Sequence, residues 1–132
     1  MIDWDALVAR AKSVRELAYA PYSDFKVGAS LLMADGRIYD GCNVENRGYG
    51  LTICAERTAI VSAIAAGNRT PKAIAVVTDT RPSSPPCGMC LDTLAEFADP
   101  ELPIALANLD GEREVLRLGD LFPRPFVLPP RR

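Results

Sequence analysis

Two short cysteine segments hold the residues of this sequence whose types and spacing could do chemistry. Cys54 stands alone, and Cys87 and Cys90 form a C-x-x-C pair of the kind that binds zinc. Three thiolates would leave one of the four tetrahedral positions of zinc open, which is typical of a catalytic rather than a structural site. Glu56, two residues after Cys54, could move the protons of a water at that position. The sequence therefore predicts a catalytic zinc centre.

Helix geometry decides how these residues can meet. Cys87 and Cys90 lie three residues apart, so on a helix they share one face and can reach one ion. Cys54 and Glu56 would be about 200° apart around an ideal helix, so both can address only a pocket beyond its N-terminal end. At such an end the unpaired backbone N–H groups stabilise anions and lower thiol pKa values. The N–H of Ala55 is one of these groups and is free to donate, which makes Ala55 a candidate substrate-binding residue.

Two alternatives stay open from spacing alone. Cys42 could act as a fourth thiolate and close the site as a structural zinc knuckle, which would leave Glu56 without a role. Otherwise Cys42 is a small apolar residue at the end of a strand. Arg57 either balances the negative charge of three thiolates on a dication or is a surface arginine.

Composition limits the classes of partner. The 132 residues predict one domain over 1–132 with a proline-rich tail at 123–132, and the formal net charge is −2. No Lys/Arg cluster precedes the closing Arg131-Arg132, which argues against a nucleic-acid partner. There is no apolar run of membrane-spanning length, and the acidic N-terminus lacks the basic start of a signal peptide. We therefore expect a cytoplasmic protein with no membrane partner, whose cysteines bind metal rather than form disulfides.

Periodicity predicts alternating helices and strands. Helices are expected over 3–19 with Asp3 as cap, over 53–66 with Thr52 as cap, over 87–97, and as a turn at 120–122. Strands are expected over 25–33, 37–43, 72–78, 103–109 and 114–118, with loops at 43–52 and 81–86. Gly28 and Gly41 inside strands indicate close approach of another backbone or a ligand. The alternation predicts a three-layer α/β/α sandwich, and the first hairpin makes its roughly five-stranded sheet mixed.

Several longer motifs surround the two cysteine segments. They are Ala20-Pro21-Tyr22-Ser23, Phe25-x-Val27-Gly28-Ala29, Gly41-Cys42-Asn43-Val44-Glu45-Asn46, Tyr49-Gly50-Leu51-Thr52, Cys54-Ala55-Glu56-Arg57-Thr58-Ala59 and Ser84-Pro85-Pro86-Cys87-Gly88-Met89-Cys90. Together they cover most of the chain and closely resemble the cytidine deaminase family, in its short, homotetrameric, three-cysteine branch. The resemblance implies the cytidine deaminase-like fold, zinc as cofactor, and hydrolytic deamination of cytidine and deoxycytidine in pyrimidine salvage.

The resemblance also assigns roles to individual residues. It implies that Cys54, Cys87 and Cys90 bind zinc while Glu56 shuttles protons. It further implies that Asn43 and Glu45 hold the ribose hydroxyls, that Phe25 packs on the base and that Arg57 hydrogen-bonds the thiolates. It also implies that Tyr49 and Phe126 contribute to the active site of a neighbouring subunit in a homotetramer. Without the resemblance, we would expect Phe25, Tyr49 and Phe126 to be core aromatics. One departure is Leu91-Asp92, where the family usually has Arg-Gln after its last zinc cysteine.

Three other functions compete with this one. The related blasticidin-type enzymes, which deaminate modified or antibiotic nucleosides, share Pro86-Cys87-Gly88-Met89-Cys90 but match less well around Phe25 and Asn43-x-Glu45. A deaminase of nucleic-acid bases is opposed by the acidic charge balance and the absence of basic arms. A non-catalytic zinc-binding module is opposed by Glu56 and by the open metal position.

Overall fold

A computed structural model describes residues 1–130, so the closing Arg131-Arg132 of the predicted tail lie outside the described residues. The helices are α1 (Trp4–Arg15), α2 (Ala55–Ala65), α3 (Gly88–Phe97) and α4 (Leu118–Leu121). The strands are β1 (Val27–Met33), β2 (Ile38–Cys42), β3 (Pro71–Thr78), β4 (Pro103–Asn108) and β5 (Arg113–Arg117). A short 3₁₀ helix, Tyr49–Leu51, lies in the predicted loop before α2. Within the part of the chain described, the helices are too short or too polar to cross a membrane.

The five strands form one mixed sheet in the order β2-β1-β3-β4-β5. Only β3 and β4 run parallel to each other, and the other neighbouring pairs are antiparallel. Successive side chains of a strand point to opposite faces, and β3 separates two apolar cores in this way. Ala73, Ala75 and Val77 pack with α1, whereas Ile74 and Val76 pack with α2 and α3. The predicted α/β/α sandwich with a mixed sheet is confirmed.

The predicted start of α2 at residue 53 is wrong, since the helix begins at Ala55. The predicted end of α1 and start of β1 are wrong because tertiary hydrogen bonds override local pattern. Asp3 caps α1 as expected, but the helix ends at Arg15 rather than near residue 19. Tyr19 is pulled into an extended bridge, in which its N–H donates to Asn43 and its carbonyl accepts from Glu45. Strand β1 begins at Val27 rather than at Phe25.

Two glycines in the first hairpin let helices pack unusually close to the sheet. A Cβ at Gly28 would lie 1.9 Å from the carbonyl oxygen of Ala11 in α1, and one at Gly41 would lie 2.4 Å from that of Ala55 in α2. The predicted close approach of another backbone is thus confirmed at both positions. Gly41 lies against the first turn of α2. This contact helps to fix the position of the helix N-terminus, which follows Cys54.

Candidate active site

The three cysteines of the predicted metal centre lie at the starts of two helices. Cys54 is the N-cap of α2 and Cys87 the N-cap of α3, and both have extended backbone conformations and make no side-chain capping bond. Cys90 lies one turn inside α3 and is buried. The predicted cap Thr52 is wrong, because Thr52 instead ends the 3₁₀ helix and donates its N–H to the carbonyl of Tyr49. Both cysteine N-caps therefore keep their Sγ atoms free to converge.

The three sulfurs are placed as a zinc ion requires. The Sγ of Cys87 lies 3.7 Å from that of Cys54 and 3.5 Å from that of Cys90, and all three lie within 4.8 Å of one another. Tetrahedral zinc with Zn–S bonds of about 2.3 Å would separate its sulfurs by about 3.8 Å. Within residues 1–130 the cluster does not include Cys42. The donor set therefore fits zinc with one position left for water, and the four-cysteine alternative loses its geometric support.

Arg57 lies beside the thiol cluster rather than free on the surface. Its Nη2 donates to the carbonyl of Thr52 at 3.1 Å and to the Sγ of Cys54 at 3.8 Å. The pKa of the Cys54 thiol is lowered to about 5. A hydrogen bond from Cys90 is the largest cause, and Arg57 also contributes to the lowering. The geometry thus places a permanent cation where thiolate charge accumulates.

Glu56 is a buried carboxyl group one residue into α2, with a side chain that is 4% exposed. Burial is the main cause that raises the pKa of Glu56 to about 7. A carboxyl group with a pKa near neutrality can both accept and return a proton under physiological conditions. Glu56 lines the same cavity as Cys54 and Cys87, so the position suits a general acid and base.

The cavity of about 270 Å³ opens between the start of α2, the end of β3 and the segment before α3. Four residues assigned to substrate binding line it: Phe25, Asn43, Glu45 and Ala55. Sequence reasoning missed six others, which are Val27, Thr52, Val76, Thr78, Ser84 and Pro85. Thr78 and Ser84 are polar residues close in sequence to the second cysteine segment, which is the signal that could have found them.

Asn43 and Glu45 build the rim of the cavity through their own hydrogen bonds. The amide of Asn43 accepts from the N–H of Val27 at 2.8 Å and donates to the carbonyl of Phe25 at 2.7 Å. The Asn43 side chain thus takes the place of a strand partner for the backbone of residues 25–27, beside the cavity. Strand β1 itself starts only at Val27. Each side chain keeps further donor or acceptor capacity for a ligand.

The carboxylate of Glu45 is held by the turn that precedes Phe25. Its Oε1 accepts from the backbone N–H groups of Tyr22 and Ser23 at 2.9 and 3.1 Å, and its Oε2 accepts from the hydroxyl of Ser23. The Ser23 hydroxyl is the largest cause that keeps the pKa of Glu45 below its usual value. A fixed negative charge therefore stands at the rim.

Tyr49 and Phe126 do not line the cavity of their own chain. Tyr49 is 77% exposed and packs edge-to-face on Tyr22, with ring centroids 6.0 Å apart. Phe126 is 80% exposed in the tail, whose described residues form no helix or strand. Neither aromatic belongs to the core in this chain.

Known proteins resemble the chain over nearly its whole length. The family model described as "Cytidine and deoxycytidylate deaminase zinc-binding region" matches residues 1–106. A cytidine deaminase of Sporosarcina psychrophila is 48% identical over 125 residues, which cover 95% of this chain and 92% of that protein. The crystal structure of cytidine deaminase from Burkholderia pseudomallei matches with a TM-score of 0.91 and 50% identity, covering 96% of this chain and 100% of that one. That from Mycobacterium tuberculosis matches with a TM-score of 0.85 and 40% identity, covering 97% and 100%.

Proposed function

The chain belongs to the cytidine and deoxycytidylate deaminase family, and on this premise we propose that it converts cytidine and deoxycytidine to uridine and deoxyuridine, with release of ammonia. One observation carries the proposal. Three thiols cluster with the spacing of zinc ligands, and two of them, Cys54 and Cys87, line one cavity together with the buried Glu56, as water activation requires. We include in the proposal that the enzyme is cytoplasmic and acts in pyrimidine salvage, because a free nucleoside substrate is consistent with both.

The residues of the centre divide the work of the reaction. Cys54, Cys87 and Cys90 would hold the zinc ion, which when bound would supply a Lewis acid to make water nucleophilic near neutral pH. Glu56 takes one proton from water as its oxygen adds to C4 of the cytosine ring, and gives this proton to N3. It then takes the proton of the C4 hydroxyl and gives it to the amine, so the C4–N bond breaks, ammonia leaves and the C4 carbonyl forms. Arg57, through its contact with Cys54, offsets the charge of the thiolates.

The remaining cavity residues bind and orient the nucleoside. Phe25 offers a ring face to the base, and the first-turn N–H of Ala55 is free of helical partners and can donate to a base oxygen. Asn43 and Glu45 present a carboxamide and a carboxylate to the ribose hydroxyls. Binding energy is thus directed at the base and the sugar.

Charge at the cavity favours a nucleoside over a nucleotide. Among residues 1–130, those that line the cavity include no lysine or arginine, whereas Glu45 keeps its pKa below the usual value and stays ionised. A phosphate at the 5′ position or in a strand would meet this carboxylate without a compensating cation. Of the two substrates named in the family description, the pocket therefore supports cytidine rather than deoxycytidylate.

Ammonia release tests the proposal directly. We expect the zinc-loaded protein to release ammonia from cytidine and deoxycytidine, and to act at least about 100-fold less efficiently on cytidine 5′-monophosphate, a difference of about 2.7 kcal/mol. A single-stranded oligonucleotide and a blasticidin-type nucleoside serve as the other arms of the assay. Turnover of either in preference to cytidine would contradict the proposal.

We propose further that the enzyme is a homotetramer whose subunits share active sites. The tail exposes three consecutive apolar residues, Phe126, Val127 and Leu128, at 80, 76 and 77%. Helix α2 also exposes Val61 in the single chain. A small domain seldom leaves such surface in water, and closed symmetry would bury it while bringing Tyr49 and Phe126 to a neighbour's cavity.

Truncation after Pro125 tests the shared site. We expect that the shortened chain does not assemble into a tetramer and that its KM for cytidine is about tenfold higher. The reason is that each cavity would lose an apolar wall supplied by its neighbour. Light scattering gives the mass and steady-state kinetics gives KM. An active wild-type monomer, or a truncated tetramer with unchanged KM, would rule out this arrangement.

A further inference from the structure

The segment at 79–86 joins β3 to α3 and forms one wall of the cavity. Ser84 and Pro85 of this segment line the cavity, and Cys87 follows directly. The segment has no helix or strand, and Pro82, Pro85 and Pro86 have no N–H to donate. Few backbone hydrogen bonds are therefore available to hold a wall that stands next to a metal ligand.

Side-chain hydroxyls take over this task. The Oγ1 of Thr78 lies 2.9 Å from the Oγ1 of Thr80, which lies 2.8 Å from the Oγ of Ser84. Thr78 ends β3, is 3% exposed and lines the cavity itself. We call these three residues the hydroxyl chain. It runs from the rigid sheet to the cavity wall.

Thr78 also holds the backbone of the wall. Its Oγ1 accepts the N–H of Ser84 at 3.3 Å, which is the last backbone N–H before Cys87 because two prolines intervene. The other end of the segment is fixed separately, since Asn108 donates to the carbonyl of Thr80 at 3.0 Å and Arg81 pairs with Asp110. Loss of the Thr78 hydroxyl would leave the end of the wall next to Cys87 without its anchor.

We propose that Thr78 is a positioning residue, which through the hydroxyl chain holds the proline-rich wall of the cavity where it binds the nucleoside. The inference rests on the proposed function for the identity of the ligand. Thr78 acts on Ser84 and Pro85 and not on the protons of the reaction. Its contribution should therefore appear in ligand binding more than in the chemical step.

Thr78→Val tests this inference, because it removes the hydroxyl with little change in volume. In the zinc-loaded enzyme we expect KM for cytidine and the Kd of uridine, measured by calorimetry, to rise together about tenfold, while kcat changes less than about twofold. Zinc content per chain should equal that of wild type. Thr78→Ser keeps the hydroxyl and should restore both constants to within about threefold of wild type.

Ser30→Ala is the matched control. Ser30 is also fully buried and donates its hydroxyl at 2.6 Å, to Asp40, but it does not line the cavity. It should leave KM and the Kd of uridine unchanged even if it lowers the melting temperature. If Thr78→Val fails to fold, Thr80→Val breaks the same chain at a half-buried position and is held to the same criteria.

Three results would overturn the inference: wild-type constants in Thr78→Val, no rescue by Thr78→Ser, or an equal loss of binding in Ser30→Ala. A wild-type enzyme without cytidine turnover would overturn the proposed function and this inference with it. The two failures are distinguishable, because the second is visible in the wild type alone.

Discussion

Glu56→Gln should retain zinc and lose about 10³-fold in kcat for cytidine. The amide nearly matches the carboxyl in size and fits the buried position, so the fold and the three thiolates stay in place. An amide cannot accept and return a proton, so the transfers to N3 and to the departing amine lose their carrier. Steady-state ammonia release gives kcat, and elemental analysis of the purified variant gives zinc content.

The control for Glu56→Gln is Glu96→Gln, which makes the same change at an exposed position of α3. It should leave kcat unchanged, so any general effect of removing a carboxylate is accounted for. A Glu56→Gln enzyme with activity near wild type would show that another group carries the protons. Loss of zinc from that variant would instead make Glu56 part of the metal-binding set.

Cys87→Ser or Cys90→Ser should release zinc and lower the free energy of unfolding by about 4 kcal/mol, the linkage expected where free zinc exceeds its Kd a thousandfold. The ligands come from the starts of α2 and α3 and converge only in the folded chain, so binding energy is folding energy. Denaturant unfolding with and without a chelator measures the effect. The chelator should lower the stability of wild type and leave these variants nearly unchanged.

Cys42→Ser is the matched control, since it makes the same substitution at a half-buried cysteine outside the cluster. It should keep the zinc content of wild type. If it released zinc as fully as Cys87→Ser, the site would be a closed four-cysteine centre, and the proposed hydrolytic reaction would lose its open metal position.

The sequence by itself determined the parts of this protein that depend on local spacing. The C-x-x-C pair puts Cys87 and Cys90 on one helical turn wherever the helix lies, and Glu56 follows Cys54 into the first turn of α2. The alternation of helices and strands along the chain likewise predicted a sheet with helices on both faces. Such periodicities are properties of the helix and strand, so they need no knowledge of distant contacts.

Other features depend on residues far apart in the chain, and only the tertiary structure decided them. Helix α1 stops at Arg15 because Tyr19 pairs with the segment around Val44. Cys42 stays outside the metal cluster, a choice that spacing had left open. Both depend on where the β1–β2 hairpin lies against α1 and α2, and local propensity does not encode that placement.

The walls of the cavity show the same division. Spacing left Arg57 equally a surface residue or a partner of the thiolates, until the fold placed its guanidinium group against Cys54 and the carbonyl of Thr52. Thr78 lies outside every motif, and Ser84 had no role assigned to it within its motif. Both became part of the pocket only because the segment after β3 folds back on the end of that strand. Local spacing thus predicted the groups that we propose to react, whereas packing between distant segments determined which residues surround them.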